Sequence, residues 1–334
     1  MEKQTGNGIL EEIRMEFWDC WQRIPNKGFF LSLMVVWIAL FHFIGNSTLG
    51  YTRTPSLFLW MYDALTSGGQ GLMEAEEGYG VLIPLVVLGL FWSKRRELVS
   101  VACKLWWPGL LLVGLGLLLH VLGYLVQQPR FSVVGMFTGL YGLMGLSWGW
   151  TWLRTSFFPF FLFGFCMPLG SLAQPITFRL QLLVCRLVEL VSHYILAIDV
   201  IREGNLLKDP TNRYQYEVAA ACSGMRSLIA TIALAVILAF ISLRTPWKRA
   251  VMIAAAFPLA VLGNLLRMLL IVIAAELGGQ DWGNYVHDGG PGGIFSLLPY
   301  ALAFIGLLML EGYLREPESR PSVQTTQIPE TNPT

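Results

Sequence analysis

What most limits the folds open to this chain is the recurrence of long apolar stretches: Phe29–Ile44, Tyr79–Trp92, Pro108–Val126, Phe131–Leu153, Phe157–Leu172, Met225–Leu243, Val251–Ala275 and Ile294–Leu314. A bilayer core roughly 30 Å thick is crossed by about 20 apolar residues in a helix, which satisfies its own backbone hydrogen bonds. Eight such stretches in 334 residues predict an all-α polytopic membrane protein with about eight transmembrane helices. Charged residues make up 13% of the chain, against about 25% in soluble domains, and the mean hydropathy is +0.56. A net charge of +1 lacks the basic surface that nucleic acid requires, so no nucleic-acid partner is expected.

Basic residues concentrate on the cytoplasmic side of membrane proteins. Lys94, Arg95, Arg96 and Lys104 crowd one loop, Arg244, Lys248 and Arg249 another, and Lys3, Arg14, Arg23 and Lys27 precede the first stretch. Eight spans with both ends cytoplasmic put all of these inside. The loops Ala173–Gly224 and Glu276–Gly293 then face outward. No secretory signal peptide is expected, because five acidic residues precede the first apolar run.

Two segments read as amphipathic surface helices. In residues 1–28, Ile9, Leu10, Ile13, Phe17, Trp18 and Trp21 recur at helical spacing among charged residues. In Pro175–Asp199, Arg179, Arg186, Glu189 and His193 form a polar stripe. Beyond it, Gly204-Asn205 is a turn signal, and the alternation of Tyr214, Tyr216 and Val218 predicts a strand, so a small extracytoplasmic hairpin is expected. Gly135, Gly139, Gly145 and Gly149 mark close helix packing within the fourth stretch.

Five cysteines lie scattered without a CxxC pair, so neither a zinc site nor a disulfide framework is expected, and no metal or cofactor is assigned. Cys222 differs from the other four. It sits in Ala219–Gly224 just before an apolar span, where a helix N-terminus and Arg226, four residues on, favour a thiolate. The plainer reading is that small residues let helices approach there. Arg267 stands within Ile253–Ala275, three residues from Asn264, and a guanidinium in hydrocarbon is costly unless paired or hydrated. Its plainer reading is escape to the interface, roughly 13 Å away at 1.5 Å per residue. The outer loop Asp281–Gly290 brings in His287, one of four histidines. Cys222 as nucleophile, His287 as general acid and base and Arg267 as charge-offsetting group describe acyl transfer through a thioester at one outer rim.

Val218-x-x-x-Cys222-Ser223-Gly224-x-x-Ser227, then Pro258, Asn264-x-x-Arg267 and His287, resemble the exosortase/archaeosortase family of membrane-embedded cysteine transpeptidases, over roughly Phe157–Leu314. The resemblance implies cleavage of exported proteins at a C-terminal sorting signal, a PEP-CTERM-like arrangement of a short Pro-Glu-Pro-like motif, a transmembrane helix and a basic tail. The acyl group would pass to a membrane lipid or a glycan-associated acceptor. It further implies a multi-pass protein of the plasma (inner) membrane with its active site on the extracytoplasmic side. On this reading Cys222, Arg267 and His287 are catalytic, and Arg226, Asn264, Ser223 and Gly224 contact substrate. His193 is the reserve acid/base, because the loop around His287 is richer in glycine than the family pattern.

The chain then divides into a cytoplasmic amphipathic segment (1–28), N-terminal transmembrane helices (29–156), an exosortase-like core (157–314) and a disordered cytoplasmic tail (315–334). A transporter or lipid carrier binding an anionic substrate in an outer-facing cavity is the alternative, and a scaffold without chemistry a third. The sequence leaves oligomeric state and substrate identity open.

Overall fold

The computed structural model describes residues 3–46, 54–66, 75, 77–217 and 225–316, without the side chains of 3–10, 171, 225, 226 and 292. Helix α1 (Lys3–Arg23) meets α2 (Lys27–Phe43) at a 93° bend between Glu11–Arg23 and Lys27–Phe43, the arrangement of a surface helix beside a span. After α3 (Leu57–Leu65), α4 (Ile83–Ser93) and α5 (Arg95–Ser100) lead to an antiparallel pair, α6 (Gly109–Leu125) and α7 (Pro129–Trp148). That pair packs backbone to backbone, because a Cβ at Gly116 would lie 2.6 Å from the Gly135 carbonyl. Trp37 of α2 donates its indole N–H to the Met136 carbonyl at 2.9 Å, against the flat surface at Gly139.

Of the fourth expected stretch, Phe131–Leu153, the part up to Trp148 lies in α7, which is long and apolar enough to cross a bilayer, and the rest does not continue it. Gly149, at φ 96°, ends α7 and starts α8 (Trp150–Phe161), a backbone geometry that side chains with a Cβ rarely adopt. The fifth, Phe157–Leu172, is not one continuous helix. It leaves α8 through a tight helical turn at Leu162–Cys166 and a second at Gly170–Leu172. The Glu77 carboxylate accepts backbone N–H bonds from Leu169 (3.0 Å) and Gly170 (2.8 Å), satisfying groups that a continuous helix would have paired internally. Among the described residues three helices are long and apolar enough to cross a bilayer, or four if the bent first pair counts as one. Ile83–Ser93, Gly109–Leu125 and Ser227–Ser242 are apolar but shorter.

Helix α9 (Gln174–Tyr194) buries Leu180, Val184, Cys185 and Val188, whose spacing of three and four makes one face. That face covers a three-stranded antiparallel sheet of β1 (Ile201–Glu203), β2 (Leu206–Lys208) and β3 (Gln215–Glu217), with Gly204-Asn205 between the first two strands. Leu207, Tyr214 and Tyr216 point into a core shared with Met268, Ile271, Val272, Ala275 and Val286. Helix α10 (Met225–Ser242) then packs against α11 (Pro246–His287) and α12 (Ile294–Leu314). The expected disordered tail lies outside the described residues from 317 onward.

Candidate active site

The site is organised by one break in α11. A straight helix of 42 residues would run roughly 63 Å, about twice the hydrocarbon thickness. Gly278 (φ −132°, ψ 15°) and Gly279 (φ 71°, ψ −168°) interrupt it. The Gly279 conformation belongs essentially to glycine, so the turn is written into the pair. The residues read in the sequence as an outer loop, Asp281–Gly290, are therefore a helical arm as far as His287. Gly283 and Val286 are its buried side.

Folding back at the break brings together two residues twenty apart. Arg267 Nη2 donates to the His287 main-chain carbonyl at 3.1 Å. His287 is the last residue of the arm, so its carbonyl is one of the acceptors that a helix C-terminus leaves unpaired, and a cation there also meets the negative end of the helix dipole. The bond therefore compensates both the intramembrane guanidinium and the arm's open end. Arg267 Nε is buried and has no hydrogen-bond partner among the described residues.

The His287 ring is 35% exposed, and its Nδ1 lies 3.1 Å from Asp288 Oδ1. A carboxylate only accepts, so in this pairing Nδ1 carries the proton and Nε2 is the basic nitrogen of the neutral ring. On its flank the ring stacks with Tyr216 of β3, centroids 6.3 Å apart and planes at 26°. Burial, with the Asp281 and Asp288 carboxylates, raises the Tyr216 phenol above its ordinary range and keeps it a neutral donor. Its hydroxyl donates to the Gln280 carbonyl at 3.0 Å.

Asn264, one turn before Arg267 on α11, is 2% exposed and is engaged within the structure. Cys222, Ser223 and Gly224 lie outside the described residues, as does the side chain of Arg226. His193 lies in the last turn of α9, with Nδ1 3.1 Å from Asp199 Oδ1 and its ring edge against Tyr194. No described contact joins it to Arg267 or His287. Glu189, from the same polar stripe, takes a bond from Arg202 of β1 at 3.0 Å.

Several supporting residues were not anticipated. Arg213 bridges the buried Asp209 (3.1 Å) to Glu276 of α11 (2.7 Å), and Tyr214 donates to Glu276 at 3.4 Å. Arg213 and Thr211 hold the Asp209 carboxyl well below the usual carboxylate range. Among the described residues no group of three or more His, Cys, Asp or Glu side chains is arranged to hold a metal ion.

Residues 69–305, more than two thirds of the chain, match the family model described as transmembrane exosortase. No curated protein and no solved structure matches.

Proposed function

The chain belongs to the transmembrane exosortase family, and from that premise we propose that it is a membrane-embedded cysteine transpeptidase that cuts a C-terminal sorting signal of exported proteins and passes the acyl group to a surface acceptor. Membership and the apolar helices make it a multi-pass membrane protein. Cys222 is the nucleophile, His287 the acid/base and Arg267 the cation.

The observation that carries this reading is the Arg267–His287 bond across the α11 break. Helix α10 begins at Met225, three residues past Cys222, and runs antiparallel to the long arm of α11. Leu228 and Ile229, near the start of α10, pack with Ala260 of α11, so the start of α10 lies beside the part of α11 that carries Asn264 and Arg267.

In the first step the Cys222 thiol gives its proton to His287 Nε2, and the resulting thiolate attacks the scissile carbonyl carbon, forming a C–S bond. The C–N bond breaks, and the leaving amine takes the proton from His287 Nε2. In the second step an amine or hydroxyl acceptor gives its proton to Nε2 and attacks the thioester carbonyl, and the C–S bond breaks to restore the thiolate. Arg267 offsets the charge that develops on the carbonyl oxygen. Arg226, Asn264, Ser223 and Gly224 contact the substrate on either side of the scissile bond. The active site faces the extracytoplasmic side of the plasma membrane.

The test is co-expression with an exported protein ending in a Pro-containing motif, one apolar helix and a basic tail, read by mass spectrometry of the new C-terminus. Cys222→Ala should leave the substrate uncut, whereas normal cutting by that variant would remove the nucleophile from Cys222.

A further inference from the structure

Strand β3 is fastened to the short arm of α11 at three points. The Gln280 carboxamide brackets the backbone of Gln215, accepting from its N–H at 2.9 Å and donating to its carbonyl at 3.3 Å, as a neighbouring strand would. The Tyr216 hydroxyl donates to the Gln280 carbonyl at 3.0 Å. Gly283, one turn along the arm, makes room for that ring, since a Cβ there would overlap the Tyr216 hydroxyl. Tyr216 is 5% exposed, with its face turned to the His287 ring.

Only four residues, 218–221, separate Glu217, the last residue of β3, from Cys222 in the sequence. The strand that holds the imidazole from its flank is therefore also the strand from which the cysteine segment departs. We infer that Tyr216 is a positioning residue: its ring, on a strand pinned by Gln280 and seated on Gly283, fixes the plane of the His287 imidazole.

Three observations bear on how the ring is held. The bracket on Gln215 spends a side-chain amide on a strand edge that water could satisfy. The hydroxyl bond sets the depth of the ring. The missing side chain at Gly283 sets its distance from the arm. Held in this way, the ring limits the freedom of the imidazole it lies against, and displacement of a reacting group by about 1 Å costs roughly 10²-fold in rate.

This inference rests on the transpeptidase reading, and its test separates the two. Full-length protein in membranes is assayed for substrate cutting and for alkylation of Cys222 by iodoacetamide, followed on the Cys222 peptide by mass spectrometry. Tyr216→Leu should lower kcat at least about tenfold with KM within about twofold. It should slow Cys222 alkylation at neutral pH to the rate of His287→Ala. Tyr216→Phe, which keeps the ring but loses the bond to Gln280, should restore part of both.

In the His287→Ala background, Tyr216→Leu should slow alkylation no further, because a residue acting through the imidazole has nothing left to act on. A purely structural role would instead give additive losses and a raised KM. Unchanged rates in Tyr216→Leu, or additive losses in the double variant, would overturn the positioning role. If Cys222→Ala still cuts substrate, the transpeptidase reading itself fails. If Cys222→Ala is inert while Tyr216→Leu is fully active, only the present inference fails.

Discussion

At the residue scale the decisive atom pair is a guanidinium nitrogen on a backbone carbonyl. Arg267→Lys keeps the charge but replaces a planar fork with a point donor, so one ammonium cannot both hold the His287 carbonyl and face a developing oxyanion. The expected result is a fall in kcat of roughly 10²-fold, the scale of losing one oriented donor, with protein accumulating normally in the membrane. Quantitative immunoblotting beside the cutting assay checks both halves. Gly279→Ala meets no neighbour within 4 Å, so its effect is conformational alone: φ 71° with ψ −168° strains any residue bearing a Cβ by about 1–3 kcal/mol. A reduced melting temperature together with lost cutting is the expected pair of readings. Arg267 was legible in the sequence because a lone cation in an apolar run has few innocent explanations. Gln280 and Tyr216 were not, because an amide capping a strand edge or a ring lying on another ring leaves no periodic trace. Cys222 was read as a nucleophile from its neighbours, and its placement lies outside the described residues.

At the scale of elements, the sheet and the α11 break hold each other through Arg213. Asp209 and Glu276, one on the sheet module and one on α11, share that guanidinium, and Asp209 also accepts from the backbone N–H groups of Thr211 (2.9 Å) and Arg213 (3.2 Å). Because the folded-state value of Asp209 is depressed, its contribution to the tether is complete above the unfolded value near about pH 3.9 and is lost only as pH falls through the lower folded value. Amide exchange of residues 201–217, corrected for intrinsic rates, should therefore report the same protection from neutral pH down to about pH 4, with loosening only below it. Arg213→Ala should loosen these amides severalfold at neutral pH while leaving α10 and α12 protected. Sequence periodicity located α9 and the apolar runs, since each buries a face at helical spacing. It failed at Asp281–His287, where Asp, Gly and Asn read as loop-formers. Trp282 and Val286, four apart with Gly283 on the buried side, were the trace of a helical arm, and the glycine pairs 278–279 and 289–290 bracketed it. The fifth apolar run misled for the opposite reason, because hydropathy cannot distinguish one continuous helix from a helix that ends in tight turns.

Across the whole molecule, the basic clusters converge on one end through packing rather than through sequence proximity. Glu16 of α1 pairs with Arg95 (2.7 Å) and Arg96 (2.9 Å), and Lys94 donates to the Thr155 carbonyl of α8 at 3.2 Å. One turn on, Phe158 stacks on Phe240 of α10, with centroids 4.3 Å apart and planes at 6°, and the Arg249 guanidinium lies 4.5 Å from the same Phe240 ring. Lys248 donates to the Leu314 carbonyl at 2.9 Å, which draws the end of α12 to that face. The sheet packs against Met268, Ile271, Val272 and Ala275 of α11, toward the other end. Since cations favour the cytoplasmic surface, the expected orientation puts Gly204-Asn205 outside and Thr245–Arg249 inside. Asn205→Cys and Thr245→Cys test this in intact cells with a membrane-impermeant maleimide. Asn205→Cys should label at once and Thr245→Cys only after permeabilisation. The reverse pattern would turn the site toward the cytoplasm, where exported proteins no longer present a sorting signal, and would remove the proposed substrate class even if Cys222 remained the nucleophile.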